Sequence, residues 1–585
     1  MSRAARGVRT NSRWWPLAFA AAAAAVVAML MAGRSLAPAN ADTAADSAPV
    51  ASGIAAVAPT IPAKLQCASL VQSGTPADLT RPNFEEIKGA PTRITSAAVV
   101  PATATQPEYC DLRGYIQSQI KFQLKLPTTT WQGRYLQMGC GGFCGSISPT
   151  MFPACRTELG GDFAIAATND GHDASGTDAL WAGQDEQQRI DFGYRAVHVL
   201  AIAAKAIQSA YYGQAPIRSY FVGCSDGGRE GLIEAQRFPN DFDGIVAGAP
   251  ANGMSTDPMF LAWGVKTNSD ANGNPILTES KLAPLHAAVV KACDANDSVV
   301  GDGLIGDPRD CRFDPATIRC AGADAADCLT AAQVNVVRTL YKGIFDSRGR
   351  RLDLRNAPKG SELNWLGWWV PRATATTGIR STIAWSFGQS AARWLSYPIG
   401  RGRPLEAVQF TKRDFFEQVQ SARYYEGMDP DLKAFRRRGG KLILYQGQAD
   451  PLVPPVQILE YYNAMRDEMG GQRRTDQFAR LFLINGMGHC GGGLTPNTSD
   501  LTLQIVRWVE EGQAPDSVTA TQSDGPNGPR TRPVFSYPRV AKYVGPDPAT
   551  DPTGTDRPEN FVAAPSPFAH DDNVVWMGDF LLDQD

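Results

Sequence analysis

Gly223, Cys224, Ser225, Asp226 and Gly227 form a G-x-S-x-G run, entered from "SYFV" and left through "GREGLIEAQRF". Glycines at those two places let a strand reverse sharply into a helix, which lifts the serine hydroxyl clear of the sheet and turns the following backbone N–H groups toward a substrate. A serine hydroxyl is a poor nucleophile alone and needs a base that a carboxylate holds in place. In a strand–turn–helix setting of this kind the chain order is serine, acid, histidine. Five histidines are present, and His172 and His198 precede the serine. His286 lies in a stretch with no acid-bearing strand before it, and His570 lies in a Pro- and Asp-rich tail. His489 remains, in "LFLINGMGHCGGG", where an apolar run ends in a glycine-rich loop. Asp450, in "LILYQGQADPLVPP", directly follows another apolar run, whereas Asp500 comes after His489 and cannot serve in that order. Singly, His489 reads as a loop histidine and Asp450 as a turn former before Pro451. Their order and their places at strand ends predict a Ser225–His489–Asp450 triad.

The triad carries a corollary for its neighbours. If Ser225 and His489 come within hydrogen-bond reach, Cys224 and Cys490 are drawn together, and a disulfide between them would tie the nucleophile turn to the histidine loop.

Elements able to position these residues are legible along the chain. "GRYLQMG", "DFAIAATND", "SYFVG", "DGIVAG" and "KLILYQG" read as short buried strands, and residues 191–213 have helical spacing. From about Ala90 apolar runs alternate with helix-like stretches, which predicts an α/β fold with a largely parallel sheet. Between about 251 and 430 that rhythm is lost to Trp, Gly, Arg and clustered Cys, as for an insertion forming a second layer or lid. The predicted organisation is a signal segment over 1–41, a linker over 42–62, core over 63–250, lid over 251–430, core again over 431–545, and an irregular tail over 546–585.

Four arginines ahead of an alanine-rich apolar run, then Ala39-Asn40-Ala41, describe a secretory signal cut after Ala41; an uncleaved anchor is the alternative for that run. Residues 1–41 hold five Arg and no acid, so the mature chain keeps 51 of the 56 basic residues against 59 acidic ones, a net charge of −8. That balance speaks against nucleic acid as a partner. After cleavage no segment is apolar enough to hold the chain stably in a membrane. Export predicts a secreted or periplasmic protein whose eleven cysteines are mostly paired, with at least one left over.

The chain resembles the tannase and feruloyl esterase family through "GCSDGGREGL", "DFDGIVAGAPA", "LILYQGQADPLVPP" and "GMGHC", with "GRYLQMGCGGFCGSI" and "DLKAFRRRGGK" around them. The resemblance runs from about Cys67 to Tyr543. It implies an α/β-hydrolase core with a large inserted lid, the same triad and the same Cys224–Cys490 bridge. It also implies an oxyanion hole from the N–H of Asp226 and of a glycine in "GCGGF", with Gly142 chosen over Gly141. A structural Ca²⁺ site is implied within "CDANDSVVGDGLIGDPRDC", from the carboxylates of Asp294, Asp297 and Asp302 and the carbonyls of Val299 and Leu304, closed by Cys293 and Cys311. One residue more than the family's run stands near Gly301, and an acidic surface loop is the alternative to the calcium site. Further bridges implied are Cys67–Cys110 and Cys320–Cys328. Another is missing, since Phe535 and Ala563 stand where its cysteines would be; two of Cys140, Cys144 and Cys155 are expected to pair.

The function so read is a serine carboxylic-ester hydrolase for a small aromatic ester of feruloyl, galloyl or mono(2-hydroxyethyl) terephthalate type. Trp365, Trp368, Trp385, Phe387 and Trp394 are candidate pocket walls, although lid core is the ordinary role of each. Arg393 is a candidate fork for a substrate carboxylate, and Val453 a further candidate contact. The alternatives are a serine hydrolase of another class (aliphatic esterase, thioesterase or peptidase) on the same fold, and a non-catalytic binding relative.

Overall fold

Apolar runs of five to nine residues pair into one nine-stranded sheet. The computed structural model describes residues 59–71, 82–104, 106–147, 162–294, 301–493, 500–525, 528–551 and 553–566. The expected signal segment, most of the linker (42–58), Asp297, Val299, Cys155, His570 and the end of the tail lie outside the described residues.

The first three strands, β1 (Thr92–Val100), β2 (Tyr109–Ile116) and β3 (Ile120–Pro127), form an antiparallel meander. This differs from the predicted strand–helix alternation after Ala90: connections of a few residues leave no room for a crossover helix, so the strands must reverse. β4 (Arg134–Met138), β5 (Phe163–Thr168), β6 (Arg218–Cys224) and β7 (Gly244–Gly248) follow in the core, and β8 (Ile344–Phe345) and β9 (Arg351–Asp353) form a small separate hairpin. β10 (Lys441–Gly447) and β11 (Ala479–Ile484) complete the large sheet in the order β1-β2-β3-β5-β4-β6-β7-β10-β11. From β5 to β11 every neighbouring pair is parallel. β5 and β7 are buried at every position, as strands covered on both faces must be.

Helices cover both faces. On one, Leu200, Ala204 and Ile207 share a core with Tyr135, Phe221 and Ile245; on the other, Ile505, Val506 and Trp508 pack with Leu136, Tyr220 and Val246. The helix predicted over 191–213 is longer and interrupted: α1 (Glu186–Ile190) and α2 (Ala196–Tyr212) are joined by a π-helical turn over Asp191–Arg195. α3 (Asp226–Arg237) starts directly after the serine.

Between β7 and β10 the chain leaves the sheet and builds a lid with its own aromatic core, including Phe260, Trp263, Trp365 and Trp369. Its principal helices are α4 (Asp257–Thr267), α5 (Leu282–Cys293), α6 (Ala331–Lys342) and α7 (Ile383–Ser390). α6 begins with a reciprocal capping box between Thr330 and Gln333. Buried Arg189 of α1 fastens lid to core by donating to the carbonyls of Ala182, Tyr397 and Trp394. The tail expected to be irregular contains a strand: after the hairpin β12 (Ser517–Gly525) and β13 (Gly528–Phe535), β14 (Arg539–Tyr543) pairs with β15 (Phe561–Pro565). Among the described residues no helix is long and apolar enough to cross a membrane.

Candidate active site

Ser225 sits between β6 and α3 with φ 64° and ψ −119°, a conformation that a non-glycine residue adopts only under constraint from its surroundings. The constraint is visible at Gly223, where a Cβ would stand 2.3 Å from the Gly227 carbonyl oxygen. Any side chain there would force the turn open.

His489 Nε2 lies 2.9 Å from Ser225 Oγ, and His489 Nδ1 lies 2.8 Å from Asp450 Oδ2. Asp450 is fully buried at the end of β10, and its carboxylate accepts from the N–H groups of Leu452 and Val453 and from the Gln446 amide. These bonds orient the acid, and the acid then fixes the imidazole tautomer with Nδ1 protonated and Nε2 free to take the serine proton. Burial pulls the imidazole's pKa down, but the charge and hydrogen bond of Asp450 outweigh it and hold His489 above the ordinary 6.5. The Cys224–Cys490 disulfide joins the two loops, with Cα atoms 5.9 Å apart. The other histidines that precede the lid's end are engaged elsewhere: His198 with Asp241 and Phe238, His286 with Glu362.

The N–H of Asp226 and those of Gly141 and Gly142 have no hydrogen-bond acceptor among the described residues, and all three residues line the cavity above Ser225. Gly142 has φ +64°, and a Cβ there would lie 2.2 Å from the Gly176 carbonyl oxygen. The loop is held from both sides. The Cys140 carbonyl accepts from the N–H of Gly227 and the Cys140 N–H donates to Glu230, while His172, stacked on Trp181, bonds through Nε2 to the Phe143 carbonyl. His172 thus supports the loop without touching the triad, a role nothing in its sequence setting reveals.

Beneath the nucleophile lies a buried charge cluster. Arg229 forms a fork with Asp226 at 2.6 and 3.0 Å, and donates onward to the carbonyls of Phe192 and Gly193 in the π-helical turn. Burial pushes the Asp226 carboxyl up to about 7, with Arg229 opposing the shift. Asp170 and Glu230 complete the cluster beside a Cys140–Cys144 disulfide, the pair that forms from the three cysteines left open above. Disulfides Cys67–Cys110, Cys293–Cys311 and Cys320–Cys328 are also present.

The cavity measures about 420 Å³ and lies between core and lid. Trp368, Phe387 and Val453 line it, together with Phe143, Met254 and Phe260. Other expected contacts are displaced. Trp365 is buried in lid core, bonded to Ser361, and Trp385 lies under Arg380. Arg393 is exposed and Trp394 packs against Gly183, neither lining the cavity, because α7 ends in a π-helical turn over Ala391–Leu395 that rotates them off the face carrying Ile383 and Phe387. The guanidinium that does line the cavity is Arg355, bonded to Asp353 and Asp257.

In the loop closed by Cys293 and Cys311, both oxygens of Asp294 accept backbone N–H groups, from Gly301 and Gly303. Asp302 accepts from the Leu304 N–H and pairs with Arg532 of β13. Each oxygen keeps a further lone pair, and hard oxygen donors in a disulfide ring fit Ca²⁺ chemistry. Arg532 competes for the Asp302 carboxylate.

Residues 105–552 match the family model for tannase and feruloyl esterase. A mono(2-hydroxyethyl) terephthalate hydrolase of Piscinibacter sakaiensis is 33% identical over 543 residues, covering 80% of this chain and 88% of that protein. A probable feruloyl esterase B-1 of Aspergillus oryzae is 29% identical over 457 residues, covering 74% and 80%. Among solved structures, feruloyl esterase B from Aspergillus oryzae superposes with a TM-score of 0.70 at 25% identity, covering 81% of this chain and 97% of that one.

Two outcomes follow from the geometry. Because a base must be neutral to accept the serine proton, kcat/KM should fall as the pH drops through the His489 pKa, a value above 6.5. Asp450→Asn should lower kcat by about 10⁴-fold and, leaving burial unopposed, shift that limb to lower pH; a pH–rate profile reads both. Removing the bridge by Cys224→Ser with Cys490→Ser should cost up to about 5 kcal/mol on the loop-entropy account and lower kcat more than it raises KM. Denaturant unfolding and steady-state kinetics measure the two effects.

Proposed function

The chain is a carboxylic ester hydrolase of the tannase and feruloyl esterase family, and we propose that it is an exported enzyme that cleaves esters of aromatic acids through an acyl-enzyme on Ser225. The observation that carries this reading is the continuous hydrogen-bonded path Asp450–His489–Ser225 opening into a cavity walled by Phe143, Phe260, Trp368 and Phe387. Ser225 Oγ attacks the ester carbonyl as its proton passes to His489 Nε2. The resulting oxyanion lies by the N–H groups of Asp226 and of Gly142, donors of a kind worth about 3 kcal/mol each to the transition state. Collapse expels the alcohol, which takes the proton from His489. Water then attacks the acyl-enzyme with His489 as base, releasing the aromatic acid and restoring Ser225. The cavity's aromatic walls suit a flat acyl group. Two relatives support the same substrate class by name, one for a terephthalate monoester and one for feruloyl esters. Five disulfides and the basic, apolar N-terminal segment support export to an oxidising compartment.

The lid loop between Cys293 and Cys311 is proposed to hold a structural Ca²⁺ through Asp294, Asp297 and Asp302 and the carbonyls of Val299 and Leu304. Bound there, the ion supplies charge neutralisation for the loop's carboxylates and takes no part in ester cleavage.

Purified mature protein should hydrolyse methyl ferulate, methyl gallate or mono(2-hydroxyethyl) terephthalate in preference to a short aliphatic ester, with Ser225→Ala at least about 10⁴-fold slower. Turnover of the aliphatic ester alone would overturn the aromatic assignment. Calcium removal should lower Tm by several degrees and added calcium restore it; a Tm indifferent to both would exclude the ion.

A further inference from the structure

Away from the catalytic cavity, at the other end of the nucleophile helix, a group of polar side chains has hydrogen bonding that does not close. α3 runs from the serine turn to Arg237, and Pro239, with no N–H to give, bars a further turn. The chain folds back there through two bonds, from the Phe238 N–H to the Glu234 carbonyl and from the Asp241 N–H to the Phe238 carbonyl. His198 arrives from α2 and stacks on Phe238, with ring centroids 3.8 Å apart and planes 10° apart. Its Nδ1 lies 2.5 Å from Asp241 Oδ2. One side-chain donor atom from each of His198, Glu234 and Asp241 lies within 4.8 Å of the other two.

Glu234 shows that this group is incomplete. It is 1% exposed, and neither of its carboxylate oxygens has a hydrogen-bond partner among the described residues. A buried carboxylate without donors is costly, and native structures complete such groups. The carboxylates of Asp241 and Glu230 add negative charge around it, against the ammonium of Lys205. Lys205 donates to the main-chain carbonyl of Asp241 rather than to either carboxylate, and its ammonium stands over the Phe242 ring. A proton shared between Glu234 and Asp241 would engage one Glu234 oxygen and leave the other without a donor. A metal ion can engage both.

We propose that His198, Glu234 and Asp241 bind a divalent transition-metal ion, Zn²⁺ being the best match, and that the ion ties α2 to the far end of the nucleophile helix. An imidazole with two carboxylates is a mixed nitrogen and oxygen set that Zn²⁺ accepts, whereas Ca²⁺ takes roughly six to eight oxygens. Zinc–ligand bonds of about 2.0–2.2 Å place ligand atoms no more than about 4.4 Å apart, so the three side chains need only small rotations to close on an ion. The His198 and Asp241 side chains are 28% and 12% exposed, which gives the ion a way in and leaves room for water as a fourth ligand. His198 Nδ1 turns from a donor to Asp241 into a ligand, its proton being carried on Nε2, while Phe238 holds the ring plane. Glu234 lies nine residues beyond Ser225, about 13 Å along α3, so the ion braces the helix and takes no part in ester cleavage.

The test uses the full mature protein without a histidine tag, stripped by a chelator and returned to buffer containing Ca²⁺, so that the lid loop contributes no difference. Zn²⁺ titration by calorimetry, the visible absorption of added Co²⁺, and thermal melts are compared in the wild type, His198→Ala and Glu234→Gln, with circular dichroism as the check on folding. The wild type should take up one Zn²⁺ that both variants bind about 100-fold more weakly or worse. Co²⁺ should develop d–d absorption, and Zn²⁺ should raise Tm by a few degrees, in the wild type alone. His198 is partly exposed, so its truncation keeps the test decisive even where Glu234→Gln disturbs the packing. A wild type that takes up no Zn²⁺, or uptake and a Tm rise that persist unchanged in both variants, would overturn the assignment and leave Glu234 holding a proton.

Discussion

Arg229 is the interaction on which the site rests. A guanidinium with no solvent exposure is tolerable only if its charge and donors are fully matched, and removing one partner of such a pair leaves an uncompensated charge. The matching draws together three parts of the molecule. Asp226, beside the nucleophile, supplies the charge; Phe192 and Gly193 supply carbonyls from the π-helical turn; Tyr425 adds a further carbonyl from the end of the lid. The serine turn, the long helix and the returning lid chain are therefore placed relative to one another by one side chain. Arg229 also offsets the charge of the Asp226 carboxylate directly beside Ser225.

The lid repeats the device with a second buried arginine. Arg355 is held by Asp353 and Asp257 and stacks on Phe260, which fixes its place in the cavity wall. The two arginines belong to different parts of the chain, Arg229 to α3 directly after the nucleophile and Arg355 to the lid, where it lines the cavity. Neither requires a mobile loop to complete it, which favours a site largely preformed before substrate arrives.

Much of this is legible from residue order. Ser225, Asp450 and His489 stand at the ends of short apolar runs, and a parallel sheet brings the C-terminal ends of its strands to one edge whatever their separation in sequence. The same reasoning places Cys224 against Cys490 once the triad is accepted. Side-chain direction in the lid is harder to read. Trp365 and Trp368 stand three residues apart in one aromatic run, yet one fills the lid core and the other the cavity wall, because a short 3₁₀ segment followed by a turn breaks any fixed period. Arg393 and Trp394 are displaced by a π-helical turn, which shifts the face of a helix without leaving a mark in composition. Arg229 and Arg355 look like ordinary surface residues in sequence, since burial of a charge depends on partners from distant segments. The early antiparallel strands fail for a simpler reason: an apolar run does not announce the direction of its neighbour.

The Cys224–Cys490 bridge closes a loop with a sequence separation of 266 residues, and the whole lid lies inside that loop. The lid is in effect a ring sewn shut at its base by a covalent stitch next to the nucleophile. A peptide bond cut anywhere within it leaves two polypeptides that remain joined at the triad. Segments of the ring can accordingly lengthen, shorten or be exchanged with the serine and its base still held to one another, which lets the acyl pocket change its taste while the bond-breaking chemistry stays put.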